Sequence, residues 1–217
     1  MNKSEVVHAG YDKIAKIYHS QRTIYPNKAL LDKISNRLKK GSKVLDLGCG
    51  AGVPVSKFLV NNGFQVTGID FSKNMVSLAR ENVPAARFKK MDITQLRFED
   101  NSFDAAVSFY ALIHVPREKH AKIYRALLRI LKPGGIILFN PCGTIAWEGY
   151  AEDYLGTRMF WSHYSPRKTL AIIKKAGFEI IWNRILKLGG EKQFWVLAQN
   201  KKHPPTLIRH LPTRNKP

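Results

Sequence analysis

The stretch Val44-Leu45-Asp46-Leu47-Gly48-Cys49-Gly50-Ala51-Gly52 constrains this chain more than any other, because a short apolar run passes directly into a turn with glycine at every second position. Glycine lets the backbone bend sharply and approach a ligand with no Cβ in the way. The helix expected behind the turn, near Pro54 to Asn61, presents unpaired N–H groups and positive potential to whatever sits there. The next apolar run ends in Gly68-Ile69-Asp70. Its carboxylate falls about 20 residues after the glycines, the separation at which an acidic side chain accepts the hydroxyls of a bound ribose. An adenosine-type ligand is therefore expected. The spacing is Gly-x-Gly-x-Gly, and Val53 stands where a pyrophosphate-binding Gly-x-Gly-x-x-Gly turn needs its last glycine. A nicotinamide dehydrogenase is the weaker reading on that ground.

Around this turn, β-type and helical patterns alternate. Strands are predicted at Lys43 to Leu47, Gln65 to Asp70, Ala86 to Met91, Phe103 to Ser108 and Ile136 to Asn140. Helices are predicted near Lys73 to Glu81, over Arg117 to Leu131 and over Pro166 to Ala176. Two amphipathic helices come first, Glu5 to Tyr18 and a second opened by Pro26 that runs through Leu30, Leu31, Ile34 and Leu38 to Gly41. Two closing strands, Phe178 to Ile185 and Gln193 to Ala198, are joined by a link containing Gly189 and Gly190. That link is too short for a helical crossover, so the two strands pair antiparallel. The expected fold is a three-layer αβα sheet of seven mostly parallel strands with an antiparallel C-terminal strand, in one domain over residues 1–200.

Five motifs in order carry a family resemblance: VLDLGCGAG, GIDFS, the acidic Met91-Asp92-Ile93 after the third strand, FEDNSFDAAVS, and RILKPGG leading into the fifth strand. Over residues 44 to 140 the chain resembles the class I (Rossmann-like) S-adenosylmethionine-dependent methyltransferases, small-molecule type. The resemblance implies that Gly48, Cys49 and Gly50 line the methionine part of the cofactor and that Asp46 holds its amino group. It further implies that Asp70 takes the ribose hydroxyls, that Asp92 accepts from the adenine amino group, and that Phe71 and Ile93 flank the ring. The backbone of Ser108 and Phe109 would complete the amino-group site, with Met75 nearby. Tyr11 and Tyr18, in a helical cover over residues 1–40, would close over the cofactor. The product would be S-adenosylhomocysteine.

Methyl transfer needs an in-line nucleophile and exclusion of water; a general base helps when the acceptor must lose a proton. His114, just past the fourth strand at the carboxyl edge of the sheet, is the candidate base. Residues 141–165 form the longest irregular stretch and are rich in aromatics, which suits a substrate lid over a small, partly apolar acceptor. His163, Tyr164 and Trp147 are its candidate substrate contacts, and Trp195, in the last strand, is expected to back the same region. Asn140-Pro141-Cys142 has a Pro-Cys pair like that of cytosine-modifying methyltransferases, but after the fifth strand rather than the fourth. Ser108-Phe109-Tyr110-Ala111 lacks the Pro-Pro-aromatic run of enzymes that methylate base amino groups.

Composition bounds the rest. The two cysteines have no metal-ligand spacing and cannot form a disulfide framework for 217 residues, so a reducing, cytoplasmic setting is expected and no metal is. No apolar run reaches the roughly 20 residues that cross a bilayer, and Met1 to Gly10 lacks the apolar core of a secretory signal. The net charge of +20 is spread along the chain and rises again in a basic, proline-containing tail over residues 201–217, expected to be flexible. That charge keeps open a second reading, an RNA-modifying methyltransferase, beside the small-molecule one. A scaffold that binds the cofactor without catalysis is a third. The acceptor and the oligomeric state are not written in the sequence.

Overall fold

Strands β1 (Lys43–Leu47) and β4 (Phe103–Ser108) lie side by side at the centre of the sheet, and their side chains alternate between two separate cores. Val44, Ala105 and Val107 face one, while Leu45, Leu47 and Ala106 face the other. This two-sided burial is why the strands read as continuous apolar runs. The computed structural model describes residues 1–22, 28–188 and 191–201. Its main sheet has the order β3-β2-β1-β4-β5-β9-β8, completed by β2 (Gln65–Asp70), β3 (Arg87–Lys90), β5 (Leu131–Cys142), β8 (Phe178–Leu188) and β9 (Glu191–Asn200). Only β9 runs against its neighbours. The seven-stranded, mostly parallel αβα architecture expected from the sequence is the one observed.

One face is covered by α5 (His120–Ile130) and α6 (Pro166–Ala176), through Ile123, Tyr124, Leu127 and Ile173. The other is covered by α2 (Lys28–Ser35) and α3 (Val55–Asn61), through Leu30, Leu31, Ile34, Val55 and Leu59. Helix α4 (Lys73–Asn82) starts at Ser72, whose hydroxyl accepts the Met75 N–H at 3.1 Å. Helix α1 (Lys3–Arg22) packs Val7, Tyr11, Ile14 and Ala15 against Ala51, Met75, Met159 and Phe160, and so lies across the carboxyl end of the sheet. Among the described residues no helix is long and apolar enough to cross a membrane.

The departures from expectation are local. Residues 141–165 are not wholly irregular: β6 (Trp147–Ala151) and β7 (Met159–His163) form an antiparallel hairpin outside the main sheet. Helix α5 begins at His120 rather than Arg117, because Arg117–Lys119 is a single 3-10 turn behind Pro116. Strand β5 starts at Leu131, pairing Leu131 with Phe103 before the ladder shifts and resumes at Ile136. The expected start of the second helix at Pro26, the Gly189-Gly190 link and the tail from residue 202 fall outside the described residues.

Candidate cofactor and methyl-transfer site

Parallel sheets bind ligands beyond the carboxyl ends of their strands, where the strand order reverses. Here that point lies between β1 and β4. The turn after β1 has two glycines with different constraints. Gly48 (φ +68) packs so closely on Ala111 that a Cβ would run into the Ala111 methyl, so this glycine lets two loops meet. Gly50 (φ +53) has nothing within 4 Å of where its Cβ would be. Its bare backbone faces open space, a cradle that a ligand can fill.

Two buried carboxylates flank that cradle. Asp70, at the end of β2, accepts from the Gly50 N–H at 3.0 Å and the Ser72 N–H at 2.9 Å, which ties the glycine turn to the start of α4. Burial pushes its carboxyl up to about 6, against the opposing pull of those N–H groups. Asp46 is 1% exposed and accepts from Ser56 Oγ at 2.6 Å. Burial raises it further, to about 7, with the neighbouring Asp70 adding to the rise. Two carboxylates withdrawn from water, with no Lys or Arg paired to either among the described residues, fit a site made for a positively charged, hydroxyl-bearing ligand. The Cys49 thiol between them is pushed well above its ordinary value by burial, which leaves it a neutral wall.

Three cavities that share wall residues lie along this edge. One of about 50 Å³ is lined by Asp46, Gly48, Cys49, Gly50, Phe109 and Tyr18, among others. The next, of about 40 Å³, is lined by Tyr11, Tyr18, Asp70, Phe71, Met75 and His114, among others. The third, about 500 Å³, holds Phe71, Asp92, Ile93, His8, Lys90 and Arg97 in its wall. Asp92 also accepts the Thr94 N–H at 2.7 Å and so caps the short turn that presents Ile93. Twelve of the thirteen residues assigned to the cofactor from the sequence border these cavities. The exception is Ser108, whose hydroxyl donates to the Leu47 carbonyl at 3.1 Å and bridges β4 to β1.

His114 sits where the two smaller elements of the enclosure meet. Its Nδ1 is 2.8 Å from the Phe160 carbonyl of β7, and its Nε2 is 2.8 Å from the Tyr11 hydroxyl of α1. A carbonyl oxygen only accepts, so Nδ1 carries the proton. In the neutral ring Nε2 is therefore the acceptor and Tyr11 the donor. The imidazole lies between the rings of Tyr11 and Trp161, with centroids 5.2 and 5.1 Å away.

The residues expected to contact the acceptor fall elsewhere. Trp147 is 42% exposed, and its ring centroid stands 6.5 Å from that of Trp161. His163 is buried near Gly143, and burial lowers its imidazole below the ordinary value. Tyr164 packs near His120 and under the Arg117 guanidinium. None of the three borders the three cavities. The hairpin residues that touch His114 are Phe160, through its backbone, and Trp161; neither stood out from the other aromatics of the stretch. Tyr110 and Ala111 also border the cavities, and nothing in their residue types announces a turn into the cleft. Trp195 is buried beneath Phe109 and Tyr110.

Residues 44–135 match a family model described as a methyltransferase domain. The protein named YqeM of Bacillus subtilis is 28% identical over 189 residues, covering 80% of this chain and 74% of that one. A demethylmenaquinone methyltransferase of Bacillus cereus is 28% identical over 167 residues, covering 71% of this chain and 69% of that one. The chain also matches fungal sterol 24-C-methyltransferases, but spans only 49%, 43% and 32% of their length. A solved SAM-dependent methyltransferase of Methanosarcina mazei shares the fold, with a TM-score of 0.68 at 24% identity over 77% of this chain and 96% of that one. Residues 44–135 carry a methyltransferase domain, and the motif order, the sheet order and the paired buried carboxylates agree with the class I S-adenosylmethionine-dependent methyltransferases that the chain resembles.

Proposed function

We propose that the protein transfers the methyl group of S-adenosylmethionine to a small, partly apolar acceptor held between α1 and the β6–β7 hairpin, with Tyr11 and His114 receiving the acceptor's proton. The observation that carries this reading is the hydrogen-bonded chain from Tyr11 through His114 to the Phe160 carbonyl, which joins cover, β4 edge and hairpin at one point. Bound S-adenosylmethionine supplies an electrophilic methyl on a sulfonium and leaves as S-adenosylhomocysteine. Asp46 and Asp70 take its ammonium and ribose hydroxyls, and Phe71, Asp92 and Ile93 take the adenine. Phe109 and the Ser108 backbone close the amino-group end, beside Cys49 and Met75. Tyr11 and Tyr18 cover the junction and keep water out.

The proton balance follows from the tautomer. The acceptor's proton passes to Tyr11 Oη as Tyr11 gives its own to His114 Nε2, and the imidazolium formed is steadied by the Phe160 carbonyl at Nδ1. Replacing His114 by Ala lowers turnover and removes the basic group from the pH–rate profile; unchanged turnover with an unchanged profile refutes the role. His163, Tyr164 and Trp147 remain the candidate acceptor contacts, although none of them borders the three cavities. The enclosed, aromatic-rimmed site and the demethylmenaquinone methyltransferase among the relatives favour a small apolar acceptor. The charge of +20 favours RNA instead, and steeply salt-dependent RNA binding that weakens on deleting residues 201–217 selects that alternative. A cytoplasmic setting agrees with two buried, unbridged cysteines.

A further inference from the structure

One residue in a backbone conformation that bulky side chains rarely adopt borders both small cavities. Tyr110 has φ +60, two residues past the end of β4. Its N–H donates to Asn140 Oδ1 at 2.6 Å. Asn140 is completely buried, and it follows Phe139, the residue of β5 that pairs with Ser108 at the last step of the β4–β5 ladder. The side-chain oxygen thus takes an N–H that has left the ladder, and the chain turns out of the sheet into the cleft. Asn140 Nδ2 in turn donates to Gln193 Oε1 at 3.4 Å on β9. Phe109 and Tyr110 stand edge-on to Trp195 at 4.7 and 5.8 Å, and Ala111 presses on Gly48. Residues 109–111 are therefore a wall built directly against the glycine turn, and Asn140 links that wall by a side-chain acceptor to the core of the sheet.

We infer that Asn140 is a positioning residue for the methionine end of the cofactor: its buried amide oxygen holds Tyr110 in the left-handed conformation that sets the 109–111 wall against Gly48 and Gly50. The inference rests on the cofactor site above, and it concerns the amino-acid end of the ligand, not the nucleoside end. Asp92, Ile93, Phe71 and Asp70 lie on other loops, and of the wall only Ala111 also borders the largest of the three cavities, so nucleoside binding is expected to depend on Asn140 far less.

Calorimetric titration of the full chain with S-adenosylhomocysteine and with adenosine separates the two ends. The comparison uses the native protein, Asn140→Ala and Asn140→Asp, each held well below its own melting temperature. Asn140→Ala is expected to weaken S-adenosylhomocysteine about tenfold or more and adenosine by less than about threefold, since a lost buried acceptor acts on the segment it held. Asn140→Asp keeps an oxygen facing the Tyr110 N–H and is expected to retain most of the native preference for S-adenosylhomocysteine. Equal loss of both ligands in Asn140→Ala, or an undiminished preference, overturns the inference by making Asn140 a structural residue alone. Failure of the native protein to bind either ligand overturns the cofactor reading itself.

Discussion

Raising the pH from 6 to 8 should tighten cofactor binding, because burial holds the two carboxylates proposed to receive the ligand protonated well above their ordinary range. Burial holds Asp46 up at about 7 and Asp70 up at about 6. A ligand ammonium and ribose diol call for both in the ionised form. With those values both are ionised together in about one molecule in twenty at pH 6 and about nine in ten at pH 8, a gain of about 20-fold in affinity, or ~1.8 kcal/mol. Protons are released on binding, about 1.4 of them at pH 6 and about 0.1 at pH 8. Isothermal titration in two buffers of different ionisation enthalpy reads that release directly. In Asp46→Asn, whose amide oxygen can still accept from Ser56, only Asp70 titrates and the pH effect should shrink to about twofold. The same shift has a stability consequence of opposite sign. A folded-state value raised above that of the unfolded chain means that stability is full below about pH 4 and is lost as pH rises through 7, by up to ~4 kcal/mol for Asp46 alone. Cofactor should therefore raise the melting temperature more at pH 8 than at pH 6. Affinity that is flat across this range, with no proton release, refutes the reasoning.

Other perturbations test separate links. Tyr11→Phe removes the hydroxyl that donates to His114 and should lower turnover by about 100-fold or more while leaving S-adenosylhomocysteine affinity within about threefold, the signature of lost proton transfer rather than lost binding. Gly50→Ala places a methyl in the cradle: backbone strain should lower folding stability by only ~1–2 kcal/mol, while cofactor binding falls below detection by calorimetry. Gly48→Ala strikes Ala111 instead, so it should lower the melting temperature sharply, and Ala111→Gly in the same chain should recover part of the loss. At the lid, Glu148 accepts from Lys3 at 2.7 Å and Ser162 at 2.6 Å, and these donors hold its carboxyl below the ordinary value. Glu148→Gln should speed amide exchange in β6 and β7 with little change in global stability, and acidification through the Glu148 range should do the same in the native protein.

The parts of the fold legible in the sequence are those whose local pattern and burial agree. Strands β1, β2 and β4 are apolar on both faces, and the glycines after β1 leave the chain few alternatives, so strand, turn and carboxylates could be read together. The β6–β7 hairpin was not legible for a physical reason. Trp147-Glu148-Gly149-Tyr150-Ala151 has glycine at its centre and no apolar alternation, and its partner is a run of five residues that period alone cannot assign. What holds the pair is tertiary: Met159 and Phe160 packed under α1, and the Phe160 carbonyl bonded to His114. The site divides in the same way. Asp46, Asp70 and the glycines announce themselves by residue type at fixed spacing, and His114 by its place after β4. Tyr110 and Asn140 do not, because a left-handed tyrosine held by an asparagine 30 positions later leaves no local mark.

The central claim is that the β1–β4 edge binds S-adenosylmethionine through Asp70, and calorimetric titration of the native protein and of Asp70→Ala with S-adenosylmethionine and, separately, NAD tests it most directly. The account predicts micromolar binding of the methyl donor to the native protein, its loss in the variant and no competition from NAD. Absence of binding in the native protein, or preference for NAD, would contradict it.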